Sequence, residues 1–205
     1  MKTITQISMQ KNIVKHCNIY LDGAFYCGLR LETVVERRLK TGMEISEKEL
    51  DEIQISSLYT HALDRAMELL SKSVKTEKQV RDYLAKKGFT QSLTDKVIDK
   101  LKEYRFINDE LYAENYAECY SDKKGKYLIF RELKQKGVSE DVIKEALNDV
   151  KDSERTALEI AEKFLKGKPR DNKNLSACYR KLLSKGFGYD TCSEVMEKIK
   201  SMEED

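Results

Sequence analysis

Apolar residues recur along this chain with two different periods. In the first 28 residues the spacing is short. Ile4, Ile7 and Met9 suggest one strand, and Ile13 to Leu21 (Ile-Val-Lys-His-Cys-Asn-Ile-Tyr-Leu) is rich in strand formers. Asp22-Gly23 is a tight-turn pair, and Ala24-Phe25-Tyr26-Cys27 reads as the returning strand. From Leu29 onward the period becomes helical. Apolar residues at 31, 34, 35 and 39 mark one helix, with Gly42 expected to close it. Ser46-Glu47-Lys48-Glu49 is a capping box that opens the next, with Leu50 and Ile53 on its inner face. From about residue 57 the pattern is helical throughout, and Ala62, Ala66, Leu69 and Leu70 form one stripe.

The helical region contains the same kind of segment three times: Leu84-Ala85-Lys86-Lys87-Gly88-Phe89, Leu133-Lys134-Gln135-Lys136-Gly137-Val138 and Leu182-Leu183-Ser184-Lys185-Gly186-Phe187. The glycines are spaced 49 residues apart. Each stands where a helix end needs a left-handed residue, so a cap is the expected role rather than a ligand site. Further apolar positions follow each glycine at equal offsets: Val97, Ile98, Leu101; Ala146, Leu147, Val150; Val195, Met196, Ile199. A fixed period of this length marks a repeat architecture.

Thr76-Glu77-Lys78-Gln79 is a capping box before Val80, Tyr83 and Leu84. Asn108 or Asp109 caps a helix holding Leu111, Tyr112, Tyr116 and Cys119, and Ser139 caps one with Val142, Ile143, Ala146 and Leu147. In the third repeat Ala157, Ile160, Ala161, Phe164 and Leu165 precede Lys168-Pro169, which holds the only proline. The expected fold is mainly α: tandem three-helix repeats in an elongated stack, with a small antiparallel β element at the N-terminus. The expected division is an N-terminal extension, 1–56, then repeats at 57–109, 110–150 and 151–205.

Composition agrees with small helical units. Charged residues make up 36% of the 205, against about 25% in typical domains, and hydrophobic residues 40%. A three-helix unit buries little surface alone and leans on its neighbours. The net charge is +2, too low for a protein that coats DNA, so nucleic-acid contact would rest on local patches. No run approaches the ~20 apolar residues of a membrane span, and the N-terminus has no signal-peptide pattern. A cytoplasmic monomer is expected. The five cysteines, Cys17, Cys27, Cys119, Cys178 and Cys192, form no CxxC, and His16 and His61 are the only histidines. Buried free thiols fit this pattern better than a zinc site.

No phosphate loop, nucleophile elbow or metalloprotease motif is present, and the carboxylates are interleaved with lysine and arginine as on solvated helix faces. No active site, cofactor or metal is expected. The candidate chemistry is basic. Lys123, Lys124 and Lys126 precede Tyr127, and Arg131, Lys134 and Lys136 follow. Lys86 and Lys87 give the first repeat a similar edge; Arg180, Lys181 and Lys185 do so in the third. Such charges either solvate helices or form a stripe for phosphates or an acidic protein groove. Tyr120, Tyr127 and Phe130 could stack on bases, with core packing the alternative for Phe130.

Several linked segments resemble the RecX regulatory family: Ala66 to Ser71, Thr76 to Phe89, Leu101 to Ala113 (Leu-Lys-Glu-Tyr-Arg-Phe-Ile-Asn-Asp-Glu-Leu-Tyr-Ala) and Arg131 to Val138. Ile19-Tyr20-Leu21-Asp22-Gly23 is similar to the strand and turn that open longer family members. Asn108 stands where the family often has Asp, and both cap helices. The resemblance spans roughly residues 19–200 and is weakest in the third repeat. It implies a negative regulator of the RecA recombinase. Such a protein binds the RecA–single-stranded DNA filament, touching the DNA directly or through RecA, and lowers its ATPase, strand-exchange and co-protease activities by occupying the filament groove or promoting disassembly. On this reading Lys86, Lys87, Lys123, Lys124, Lys126, Arg131, Lys134, Lys136, Arg180, Lys181 and Lys185 are the contact candidates. Two alternatives stand beside it: a helical-repeat DNA-binding protein acting without RecA, and an adaptor for another protein.

Overall fold

The computed structural model describes residues 1–10 and 15–201, so Ile13 and Val14 of the expected second strand lie outside the described residues. The chain divides into two compact units. One comprises 1–71 and 84–97, the other 72–83 and 98–205.

In the first unit, strands β1 (Lys2–Met9), β2 (His16–Leu21), β3 (Ala24–Arg30) and the short β4 (Glu44–Ile45) form an antiparallel sheet in the order β3-β2-β1-β4. Asp22 and Gly23 both take positive φ, 47° and 85°, as the two central residues of a type I′ hairpin turn must. The Asp22 carboxylate also accepts the Thr3 amide at 2.9 Å, which ties the turn to β1. One sheet face is apolar: Ile4, Cys17, Ile19, Leu21, Cys27, Leu29 and Ile45 are buried with Leu50 and Ile53 of helix α2 (Glu47–Lys72).

Helix α1 (Leu31–Glu36) is shorter than its apolar spacing suggests, and Gly42 does not close it. Arg38 takes the left-handed conformation at φ 52°, and Leu39 N–H returns to the Val34 carbonyl at 3.0 Å, completing the cap. Gly42 lies farther on and donates its amide to the Ile4 carbonyl at 2.8 Å, fastening the loop to β1. Ser46 caps α2 as expected, accepting the Glu49 amide at 3.1 Å. The helix then runs unbroken for 26 residues, through residue 56.

The remaining helices are α3 (Glu77–Lys86), α4 (Gln91–Glu103), α5 (Asp109–Tyr120), α6 (Lys126–Gln135), α7 (Glu140–Ala146), α8 (Glu154–Leu165), α9 (Asn172–Ser184) and α10 (Tyr189–Ser201). In the second unit α5, α6 and α7 pack around Ile129, Leu133, Val138, Ile143 and Leu147. Helices α8, α9 and α10 pack around Leu165, Cys178, Leu182, Phe187, Val195 and Ile199. The three repeated segments end their helices identically. Gly88, Gly137 and Gly186 have φ of 85°, 88° and 87°, and the next residue's amide returns to Leu84, Leu133 or Leu182 at 3.2–3.3 Å. All three leucines are fully buried.

Two core expectations need correction. In α5 the buried residues are Ala113 and Ala117; Leu111 is 53% exposed and Tyr112 and Tyr116 are half-buried. Small side chains let this helix sit close to its neighbours, which moves the larger ones to the rim. Of the cysteines, Cys17, Cys27, Cys178 and Cys192 are buried free thiols, but Cys119 is exposed.

Candidate functional site

The basic segment between α5 and α6 is built on a ladder of tyrosines. Tyr112, Tyr116 and Tyr120 lie one turn apart on α5, with successive ring centroids 6.1 and 4.5 Å apart. Lysines sit over this ladder: Lys124 Nζ is 4.2 Å from the Tyr120 centroid, Lys123 5.7 Å from the same ring, and Lys136 5.4 Å from that of Tyr116. Lys124 is also paired with Glu132 at 2.7 Å, and the Tyr116 hydroxyl donates to the same carboxylate at 2.8 Å. Burial alone would raise the Glu132 carboxyl. The hydrogen bonds from Lys124 and Tyr116 and the charges of Lys124 and Lys136 outweigh it, so Glu132 titrates below the ordinary carboxylate range. Burial, followed by the bond to Glu132, pushes the Tyr116 phenol up. Lys124 thus has a structural partner of its own, while Lys123 and Arg131 are exposed.

The turn also docks on the third repeat. Gly125 N–H donates to the Lys185 carbonyl and Tyr127 N–H to that of Gly186, both at 3.0 Å. A β-carbon on Gly125 would overlap the backbone of Gly186 and Phe187, and one on Gly186 would overlap Leu128. Asp152 bridges the joint: its two carboxylate oxygens accept the amides of Lys126 at 2.7 Å and Gly188 at 2.6 Å. Thr156 adds a bond from its hydroxyl to the Asp122 carbonyl at 3.1 Å.

The same joint occurs one repeat earlier. Thr76 forms a reciprocal capping box with Gln79, at 3.1 and 3.3 Å, and its hydroxyl donates to the Lys136 carbonyl at 2.6 Å. Asp109 accepts the Glu77 amide at 2.9 Å, as Asp152 accepts that of Lys126. Asn108, not Asp109, caps α5, accepting the Leu111 amide at 2.8 Å. Both residues suit a helix cap by type, but only the first serves as one here; the second belongs to the joint.

The other basic candidates are dispersed. Lys86 and Lys87 are exposed at the end of α3, in the first unit. In the second unit Lys134 pairs with Glu140, Arg180 Nε reaches the Ser176 carbonyl at 3.3 Å, and Lys181 is exposed beside it on α9. Lys185 is half-buried, and its backbone carbonyl meets the 123–126 turn. Lys126 faces a groove shared with Lys144 and Lys151, two lysines that the sequence pattern did not single out. Among the described residues no cluster of histidine, cysteine or carboxylate side chains could hold a metal ion, and no helix is long and apolar enough to cross a membrane. Burial raises the thiols of Cys27 and Cys192 to about 11, with nearby carboxylates adding to the effect.

Three family models match the chain in succession: the RecX N-terminal domain over residues 2–46, the first RecX three-helix domain over 62–101 and the second over 108–147. The chain belongs to the RecX family. The regulatory protein RecX of Clostridium perfringens (strain SM101 / Type A) is 35% identical over 209 residues, covering 99% of each chain. That of Bacillus subtilis (strain 168) is 34% identical, over 97% of this chain and 78% of its own. Among solved structures, RecX from Lactobacillus salivarius aligns over 69% of this chain and 96% of its own, with a TM-score of 0.63 and 26% identity. A second regulatory protein RecX aligns over 96% of this chain and all of its own, with a TM-score of 0.69. At 24% identity that likeness speaks to the fold alone.

Proposed function

We propose that this protein binds the RecA–single-stranded DNA filament and restrains it, lowering ATP hydrolysis, strand exchange and co-protease activity. Membership of a family of regulatory proteins along the whole chain carries the reading. On this reading it is a cytoplasmic, monomeric binding protein and not an enzyme. It comprises the extension 1–56 and repeats at 57–109, 110–150 and 151–205.

The chemistry of the basic edges supports it. Lys123, Lys126, Arg131, Lys134 and Lys136 lie along the α5–α6 turn and α6, and Arg180, Lys181 and Lys185 along α9 and its end. Joints made of backbone hydrogen bonds and a bridging aspartate hold α6 against the α9–α10 turn, so these charges are carried on an ordered frame. Lys86 and Lys87 extend the set on the first repeat. A basic edge of this kind attracts phosphates, or an acidic protein surface, electrostatically. Lys124 serves chiefly to fix the turn through Glu132.

Co-sedimentation with RecA filaments on single-stranded DNA tests the reading. The protein is expected to pellet with the filament. A variant with Lys123, Arg131, Lys181 and Lys185 all changed to Glu is expected to remain in the supernatant. Equal pelleting of both would remove the basic edges from the interface, and failure of the parent protein to pellet would remove the filament as partner.

A further inference from the structure

A groove of about 760 Å³ opens in the second unit where the start of α6, the end of α7 with its following segment, and the start of α10 meet. Its apolar lining comes from Phe130 and Leu147. Lys126, Lys144 and Lys151 approach it from three separate segments, and among the described residues none of these ammonium groups forms an ion pair. Tyr127 stands at the groove with 68% of its surface exposed, in contrast to the half-buried tyrosine ladder on α5.

Two carboxylates line the groove as well. Asp152 is committed: each of its oxygens already accepts a backbone amide, at 2.7 and 2.6 Å. Asp190 and Thr191 at the start of α10 and Asn148 after α7 line the groove too, and their side chains offer donors and acceptors to a polar edge. The groove thus combines cations, a flat exposed ring, an apolar floor and a hydrogen-bonding wall. A metal ion or a carboxylate metabolite would have no use for the ring and the floor. A nucleotide uses all four: phosphate oxygens meet lysines, the base stacks on tyrosine, and its edge meets the polar wall. The volume lies within the range of small-ligand clefts. In a duplex the base faces are covered by their neighbours, so the exposed ring favours a single strand.

We propose that this groove seats a nucleotide of single-stranded DNA, its base stacked on Tyr127 and its flanking phosphates held by Lys126, Lys144 and Lys151. The contact adds to the filament reading without depending on it, because it is measured with no recombinase present.

The test is fluorescence anisotropy of a labelled oligo-dT titrated with the full chain over a range of salt concentrations. Tyr127→Ala should weaken binding roughly five- to 100-fold, the loss of one stacked base, while Tyr127→Phe should bind as the parent does. Changing Lys126, Lys144 and Lys151 together to Gln should flatten the log K against log [salt] slope by about two, since single strands contribute about 0.7 per phosphate. A control with Lys40, Lys48 and Lys163 changed to Gln should keep the parent slope. Photo-crosslinking of an oligonucleotide carrying 5-iodouracil should label Tyr127.

The proposal is overturned by no oligo-dT binding by the parent, by binding unmoved by Tyr127→Ala, or by equal slopes for the two lysine triples. Tighter binding of duplex DNA, or displacement of oligo-dT only by an acidic peptide, would also reject it. Loss of filament binding with oligo-dT binding intact would refute the filament reading and leave the groove standing.

Discussion

Thr76 Oγ1 donates to the carbonyl oxygen of Lys136 at 2.6 Å, sixty residues along the chain. At the same sixty-residue offset Gly125 N–H donates to the carbonyl of Lys185 at 3.0 Å. The chemistry differs, a hydroxyl in one joint and an amide in the other, but the acceptor is in each case the last carbonyl before a left-handed glycine. The repeat therefore extends beyond the helices to the way consecutive repeats dock. Thr76→Val should destabilise by ~1–2 kcal/mol, because it removes both the helix cap and this donor from a fully buried site. Urea unfolding of parent and variant measures it.

The three repeated glycines should not respond alike. All have φ near 87°, so alanine costs each about 1–2 kcal/mol of left-handed strain. Gly88 has open space around its missing β-carbon, whereas at Gly186 that carbon would overlap the Leu128 backbone. Gly88→Ala should therefore lose only the strain term. Gly186→Ala should lose more than ~3 kcal/mol, the overpacking cost adding to it. Comparing their unfolding midpoints decides the matter.

Leu133 is fully buried in the core of α5, α6 and α7 and also receives the Val138 amide on its carbonyl. Leu133→Ala should cost ~2–5 kcal/mol through lost burial and the cavity left behind. Calorimetry should show a large drop in Tm with the helical circular dichroism at low temperature retained.

Glu132 gives a pH signature. Its carboxyl is held below the ordinary range in the folded protein, so its stabilising contribution is present above the unfolded-state pKa and is lost as pH falls through the folded one. Glu132→Gln should destabilise by ~1–2 kcal/mol at neutral pH, where Lys124 loses its charged partner. The difference from the parent should shrink as the pH falls below about 4.3, the reference value for glutamate, and through the lower folded value. Urea titrations at neutral and acidic pH measure both differences.

The helix ends were legible in the sequence because a single stereochemical requirement dictates them. Gly88, Gly137 and Gly186 must be left-handed, and glycine alone adopts that state freely. The Asp22-Gly23 hairpin was readable for the same reason. Helix α5 misled because its buried stripe consists of Ala113 and Ala117, which carry little hydrophobic signal beside Leu111 and the tyrosines. Strand β4 has only two residues and exists through pairing with Lys2 and Thr3, a distant partner that no local pattern announces. Of the basic candidates, those on the α5–α6 turn share one frame. Asp152 and the Lys126–Lys144–Lys151 groove were not legible, because α6, the end of α7 and the start of α10 meet there only in the fold.

The decisive measurement is RecA ATP hydrolysis on single-stranded DNA, followed while this protein is titrated from sub-stoichiometric to excess ratios. Hydrolysis should fall as the protein is added, and the ratio at which it falls distinguishes capping of filament ends from coating of the groove. Hydrolysis unchanged at stoichiometric excess would refute the filament reading.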